Sequence, residues 1–273
     1  MASDLATQTP EEIEPKKASR QILSHELAEG STALERSLGG LLISGLSAGL
    51  DIGFSLFLMA VAWTLTNGTY SEAAVTFLIA NAYAVGFIFV VLGRSELFTE
   101  QTTLAVLPVL SGDAKISALL RLWAIVFGAN LIGTAGFAAL AVTIGPSLGV
   151  IDRAAFGEIA HKVIDHSGPA IFGSAVLAGW LMGLLSWLVA ASRDTISQIV
   201  VVWIITTVIG LCRLHHVVVG SVEVLAGIFA GQNITPADYG RFLLWAAVGN
   251  AVGGSFFVAF IKYSHAVRGK QTD

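Results

Sequence analysis

Charge is what this chain of 273 residues has least of: Asp, Glu, Lys and Arg together make up 12%. A soluble domain carries about 25%, so the shortfall argues against an ordinary water-soluble fold. The single cysteine, Cys212, excludes an intrachain disulfide, and no Cys/His cluster has zinc-site spacing. His161, Asp165 and His166 resemble a metal cluster but lack a fourth ligand nearby in sequence, so a solvated vestibule is the expectation there. Nucleophile elbow, phosphate loop and paired carboxylates are all missing, so no enzyme, cofactor or metal is expected. The net charge of −4 is modest and says little about partners; no nucleic-acid partner is expected. No Asn-Pro-Ala tripeptide occurs, which argues against a water or glycerol channel. The Asn233-Ile234-Thr235 triplet matches a glycosylation acceptor but comes with no sign of a glycosylating compartment. Residues 1–17 are polar, with Glu11, Glu12 and Glu14, and contain no apolar export core.

Apolar residues fill the space that charge leaves. They make up 55% of the chain, with mean hydropathy +0.76 and 29 glycines against 6 prolines. Glycine in that proportion suits close-packed transmembrane helices. A span needs about 20 mostly apolar residues. Six segments qualify: 38–66, 73–110, 116–142, 170–191, 196–230 and 242–261. The second and fifth are too long for one span and carry polar residues near Gly93 and Arg213. Each reads as half-helix, irregular stretch, half-helix. The expected fold is an all-α membrane protein with two inverted three-helix repeats, helices 2 and 5 being broken. Residues 1–37 form an N-terminal tail and an amphipathic helix, 38–262 the pore domain, and 263–273 a C-terminal tail. In the helix, Ile22, Leu23, Leu27 and Leu34 recur at helical spacing, for the membrane surface or for the protein itself.

Placing both termini in the cytoplasm assigns Lys16, Lys17, Arg20, Arg36, Lys115, Arg121, Arg193, Lys262, Arg268 and Lys270 to the inside. Only Arg153, Lys162 and Arg241 then lie outside, which agrees with the positive-inside rule.

Backbone broken at membrane depth survives only inside protein or along a wet cavity. Paired breaks in two repeats are the sequence pointer to a transport site. The first break reads Gly93-Arg94-Ser95-Glu96-Leu97-Phe98-Thr99, the second Cys212-Arg213-Leu214-His215-His216. Ionisable side chains at that depth are retained for function or paired; here they are Asp51, Glu96, Arg213, His215, His216 and Glu223. His216 either donates an N–H or a proton to a passing anion, or caps a backbone group at the break. His215 either holds the loop or contacts the pore. Arg213 either attracts anions or pairs with Glu223 or Asp51; pairing is the expectation, because an unpaired guanidinium at this depth is expensive. Those acids, left unpaired and facing a pore, would instead favour cations. Thr99 offers a hydroxyl to an anion or to the preceding turn. Asn250 either bonds broken backbone or lines the path.

These breaks resemble those of the formate/nitrite transporter family, and the likeness covers the chain after residue 18. Leu97-Phe98-Thr99 resembles the family's embedded loop in the second helix, and His216 falls at its central pore histidine. Ala178-Gly179-Trp180-Leu181-Met182 with Trp187 resembles the fourth-helix motif. Trp123, Asn130 and Gly133 match the third helix; Gly249, Asn250, Gly253 and Gly254 match the sixth. The resemblance implies an aquaporin-like protomer in a homopentamer in the bacterial inner membrane, each subunit with a pore for a small monovalent weak-acid anion. It also implies a constriction at Leu97 and Phe98, whose alternative is ordinary packing, and a basic residue at the outer mouth, Lys162. Departures are present. The family's Glu-His pair reads His215-His216, and its two pore asparagines read Gly179 and Gly220, a pattern that resembles the YfdC-like branch. The function implied is a channel or transporter of formate or nitrite type, with a proton coupled through the histidine. The alternatives are the same pore for another solute or a cation, and a non-transporting scaffold.

Overall fold

A computed structural model describes residues 16–268. Most of the expected N-terminal tail (1–15), and the last five residues with Lys270, lie outside the described residues. Among those described, every regular element is a helix.

Helix α1 (Ser19–Glu35) buries Ile22, Leu23, Ala33 and Leu34 on one face and rests on protein rather than projecting from it. Ser37 caps α2 (Leu38–Asp51) by accepting from Gly40 N–H at 3.2 Å. Helix α3 (Gly53–Thr66) continues it, because Ile52 N–H still reaches Ala48 O at 3.0 Å, so the pair makes one 29-residue apolar rod. Ser71 caps α4 (Glu72–Leu92), which ends where Gly93 hands over to Arg94 at φ 53°. Two short helices follow the break, α5 (Phe98–Leu104) and α6 (Leu107–Ser111). Helix α7 (Ile116–Ser147) is a single rod whose Pro146 falls in its last turn, the edge at which a helix ends.

The loop after α7, expected to be a solvated vestibule, contains helix α8 (Arg153–Ile164), capped by Asp152. It buries Ala155, Phe156, Ile159 and Ala160 on its inner side, while the His161 and Asp165 side chains stay 43% and 65% exposed. Helix α9 (Gly168–Ala191) crosses next. The fifth apolar segment divides into α10 (Thr195–Leu211) and α11 (Val217–Phe229), each too short to be counted a span by itself. Helix α12 (Pro236–Val252) starts on a reciprocal Thr235–Asp238 capping box. It runs through a π-helical stretch (Gly253–Phe260) into α13 (Ile261–Arg268). This final apolar rod spans Pro236–Arg268 and is longer than the sequence pattern of 242–261 indicates.

Among the described residues, five helical rods are long and apolar enough to cross a membrane. Their outer faces carry large apolar side chains: Ile43 is 73% exposed and Ile196 74%. A soluble monomer rarely displays so continuous an apolar belt; in lipid it is the solvent-facing surface. Inside, α2 packs on α7, α9 on α12, and α4 on α10. The first and last helices of the described residues, α1 and α13, touch; their side is the terminal face, and α8 lies at the far face.

Candidate functional site

Both breaks solve the same problem with the same bonds. A helix that stops at membrane depth leaves N–H and C=O groups that lipid cannot satisfy. In the first break, Gly93 N–H returns to Phe89 O at 2.8 Å and Ser95 N–H to Val90 O at 3.1 Å. In the second, Cys212 N–H returns to Val208 O at 2.9 Å and Leu214 N–H to Ile209 O at 3.0 Å. Arg94 and Arg213 turn the chain in the left-handed region, at φ 53° and 51°. Ser44 Oγ accepts from Glu96 N–H at 3.0 Å, and Ser174 Oγ from His215 N–H at 3.1 Å.

An asparagine completes each clasp. Asn130 Oδ1 accepts from Phe98 N–H at 2.9 Å, and its amide donates to Gly45 O at 2.7 Å and Glu96 O at 2.9 Å. Asn250 Oδ1 accepts from Val217 N–H at 2.8 Å, and its amide donates to Ala175 O at 2.7 Å and His215 O at 2.9 Å. Asn250 therefore bonds broken backbone and does not line the path. The sequence carried a signal for this role, Asn-x-x-Gly at 130–133 and again at 250–253. Ser44 and Ser174 carry no such signal, since a lone serine in an apolar run has many uses.

Held in this way, the two breaks present Thr99 and His216 to each other, with Thr99 Oγ1 and His216 Nε2 2.7 Å apart and both side chains buried. His216 Nδ1 accepts from Val219 N–H at 3.2 Å and so caps α11. An accepting Nδ1 has no proton, so the neutral ring carries its proton on Nε2 and donates it to Thr99. The Thr99 hydroxyl hydrogen then has no protein acceptor among the described residues. Phe87, which the sequence does not single out, meets the imidazole edge-on with centroids 5.0 Å apart.

A cavity lies on either side of this pair, and the two share no lining residue. The far-face cavity, about 80 Å³, has His216 at its inner end and is lined by Lys162, Arg213, His215, Gly220 and Glu223. The terminal-face vestibule, about 670 Å³, is lined by charged side chains including Lys17, Arg36, Glu96 and Glu100. Burial, then the neighbouring Arg213 charge, pulls the Lys162 ammonium below its ordinary value.

Several expected roles change once the chain is folded. Arg213 pairs with neither Glu223 nor Asp51; the described ion pairs are Arg36–Glu96 at 3.0 Å and His161–Asp165 at 3.2 Å. The left-handed turn at Arg213 places it on the cavity wall instead. Asp51 accepts from Ser47 at 3.1 Å and from Ser95 at 3.5 Å, and lines neither cavity. Gly179 also lines neither: a Cβ there would strike the Asn250 backbone, so it serves helix contact rather than replacing a pore amide. Leu97 is fully buried and Phe98 packs on Phe127 and Trp123, with centroids 4.6 and 5.8 Å away; neither borders a cavity. His215 borders the far cavity, but its ring is clamped, with Nδ1 2.9 Å from Ser174 Oγ and Nε2 3.0 Å from Val163 O. Among the described residues no group of three or more His, Cys, Asp or Glu is arranged to hold a metal.

The short helices α5 and α11 meet where Thr99 touches His216, and the breaks before them border two separate cavities in a membrane protein. The chain belongs to the formate/nitrite transporter family, whose model matches residues 20–264. It is 35% identical to the inner membrane protein YfdC of Escherichia coli (strain K12) over 258 residues, 93% of this chain and 80% of that one. The fold is that of an FNT family ion channel, TM-score 0.79 at 20% identity, covering 89% of this chain and 97% of the other. It is likewise that of a pentameric formate channel with formate bound, TM-score 0.69 at 19% identity, covering 85% and 98%.

Proposed function

We propose that this chain forms a six-span pore of two inverted three-helix repeats, assembled as a homopentamer in a bacterial inner membrane with both termini cytoplasmic. It passes a small monovalent anion of a weak acid, of the formate or nitrite kind. One observation carries the reading: the hydrogen bond from His216, which lines the far cavity, leaves the buried Thr99 hydroxyl hydrogen without a protein acceptor among the described residues. A donor without a protein acceptor suits an anion and not a cation. Lys162 and Arg213 on the far cavity wall support the same sign of charge. The matched clasps of Asn130 and Asn250 support the repeat, since equivalent bonds recur at equivalent positions of the two breaks.

Formate-driven proton uptake into proteoliposomes, read with an internal pH dye, tests this. His216→Ala should lower uptake about tenfold or more, the worth of one hydrogen bond at a charged solute. His216→Asn keeps an oxygen that can cap α11; it should lose flux while retaining the wild-type Tm. Undiminished uptake in both variants, or none from folded, inserted wild type, would refute the reading.

A further inference from the structure

The bond that caps α11 constrains where a transported proton can reside. His216 Nδ1 accepts from Val219 N–H, and protonating that nitrogen removes the acceptor and uncaps the helix at its buried end. His216 is therefore built to stay neutral and donate from Nε2. A weak-acid anion that crosses as its neutral acid needs its proton from elsewhere.

Glu223 sits where that proton is needed. Residues 216, 220 and 223 share one face of α11, and all three line the far cavity. At 1.5 Å per residue Glu223 lies roughly 10 Å outward from His216, so an arriving solute meets it first. The side chain is almost completely buried, at 4% exposure. Its carboxyl has neither ion pair nor hydrogen bond among the described residues. The groups that share its cavity are Tyr83 of α4, Lys162 of α8, and Arg213, His215 and His216 of the break. From α12, Tyr239 lies against Ser221 on another flank of α11. The two cations attract an anion into the cavity; neither comes within ion-pair distance of Glu223. An ionised carboxylate without a partner at this depth is costly, and a proton is the counter-charge always at hand.

We propose that Glu223 is the proton-loading site of the far cavity and hands its proton to the incoming anion. The O–H bond of the Glu223 carboxyl breaks as an O–H bond forms on the anion. Glu223 is left as carboxylate, and the neutral acid passes the Thr99–His216 pair. In the terminal-face vestibule the acid releases its proton to water, and Glu223 is reprotonated from water at the far face. One anion and one proton move together with no net charge. This inference rests on the weak-acid reading above.

The test compares wild type, Glu223→Gln and Glu223→Asp in proteoliposomes, with formate as probe, internal acidification and membrane current as transport readouts, and infrared absorption of protonated carboxyls as an independent one. Glu223→Gln should lower acidification per formate about a hundredfold, the scale of losing a positioned proton donor. Its remaining formate flux should carry current, and one protonated-carboxyl band should vanish from the infrared spectrum. Should Glu223→Gln move no formate at all, loss of that band together with recovery of coupled uptake in Glu223→Asp supports the assignment. Wild-type acidification in Glu223→Gln, an unchanged infrared spectrum, or a silent Glu223→Asp overturns it. If wild type itself moves no formate, the weak-acid reading fails, and the infrared band alone still decides whether Glu223 holds a proton.

Discussion

The two breaks use one backbone solution and differ in what they place at the centre. Each has a left-handed arginine, a serine that accepts the N–H two residues on, and an asparagine that ties three backbone groups. At the position that follows the tied carbonyl, the first break carries Leu97 and the second His216. The first therefore supplies packing and the Thr99 hydroxyl; the second supplies the ring that orients that hydroxyl. Matching backbone chemistry with divergent side chains lets two similar breaks hold a one-sided site. The cavities differ as well: the terminal one holds the Arg36–Glu96 pair beside Glu100, whereas Glu223 is the single acid lining the far one.

Breaking either clasp should have the largest effect. Asn130→Ala and Asn250→Ala each strip partners from one buried N–H and two buried carbonyls. At about 1–3 kcal/mol per unsatisfied group, each should lower the Tm in detergent sharply and by similar amounts. A large loss for one and a slight loss for the other would show that the breaks are not energetically equivalent.

A smaller and subtler effect is expected at the glycines behind the clasps. A Cβ on Gly49 would strike the Asn130 backbone, and one on Gly179 the Asn250 backbone. Gly49→Ala and Gly179→Ala should each cost about 1–3 kcal/mol by overpacking, again read as Tm. Unchanged Tm with altered formate flux in Gly179→Ala alone would restore a pore role to that position.

The smallest effect concerns the terminal face. Glu26 of α1 is buried, accepts from Ser186 Oγ at 3.2 Å, and has one oxygen without a partner. Burial, then the charges of Glu29 and Glu100, pushes its carboxyl well above the ordinary 4.5, while the Ser186 bond opposes this. The folded protein keeps this proton at pH values where the unfolded chain has released it. The resulting penalty is absent below about pH 4.5, and stability falls as pH rises through the raised folded value. Glu26→Gln should abolish that fall, so that the Tm curves of variant and wild type converge in acid and separate towards neutrality. Parallel curves would mean that α1 does not hold Glu26 buried in solution.

Much of the site was legible as residues and little of it as roles. Both breaks were readable because Gly93-Arg94 and Cys212-Arg213 interrupt apolar runs too long for one span. His216 and Thr99 stood out by motif, yet their mutual bond joins residues 117 apart, and nothing local encodes it. The close approach of Gly179 to the Asn250 backbone was not legible, because a missing side chain looks alike from sequence whether it leaves space for a solute or for a helix. Arg213 was expected to pair because burial at that depth demands a partner; its backbone turn delivers it to a cavity instead.

Composition and periodicity by themselves determined that the chain is helical, belongs in a membrane and breaks its helices twice. Those properties follow from the length of apolar runs, and lipid tolerates few other arrangements. Only tertiary structure decided which nitrogen of His216 holds the proton, which asparagine ties which break, and that Glu223 faces the far cavity without a partner. Each of those depends on distances between helices far apart in the chain, and a hydrogen bond is made or lost within less than 1 Å.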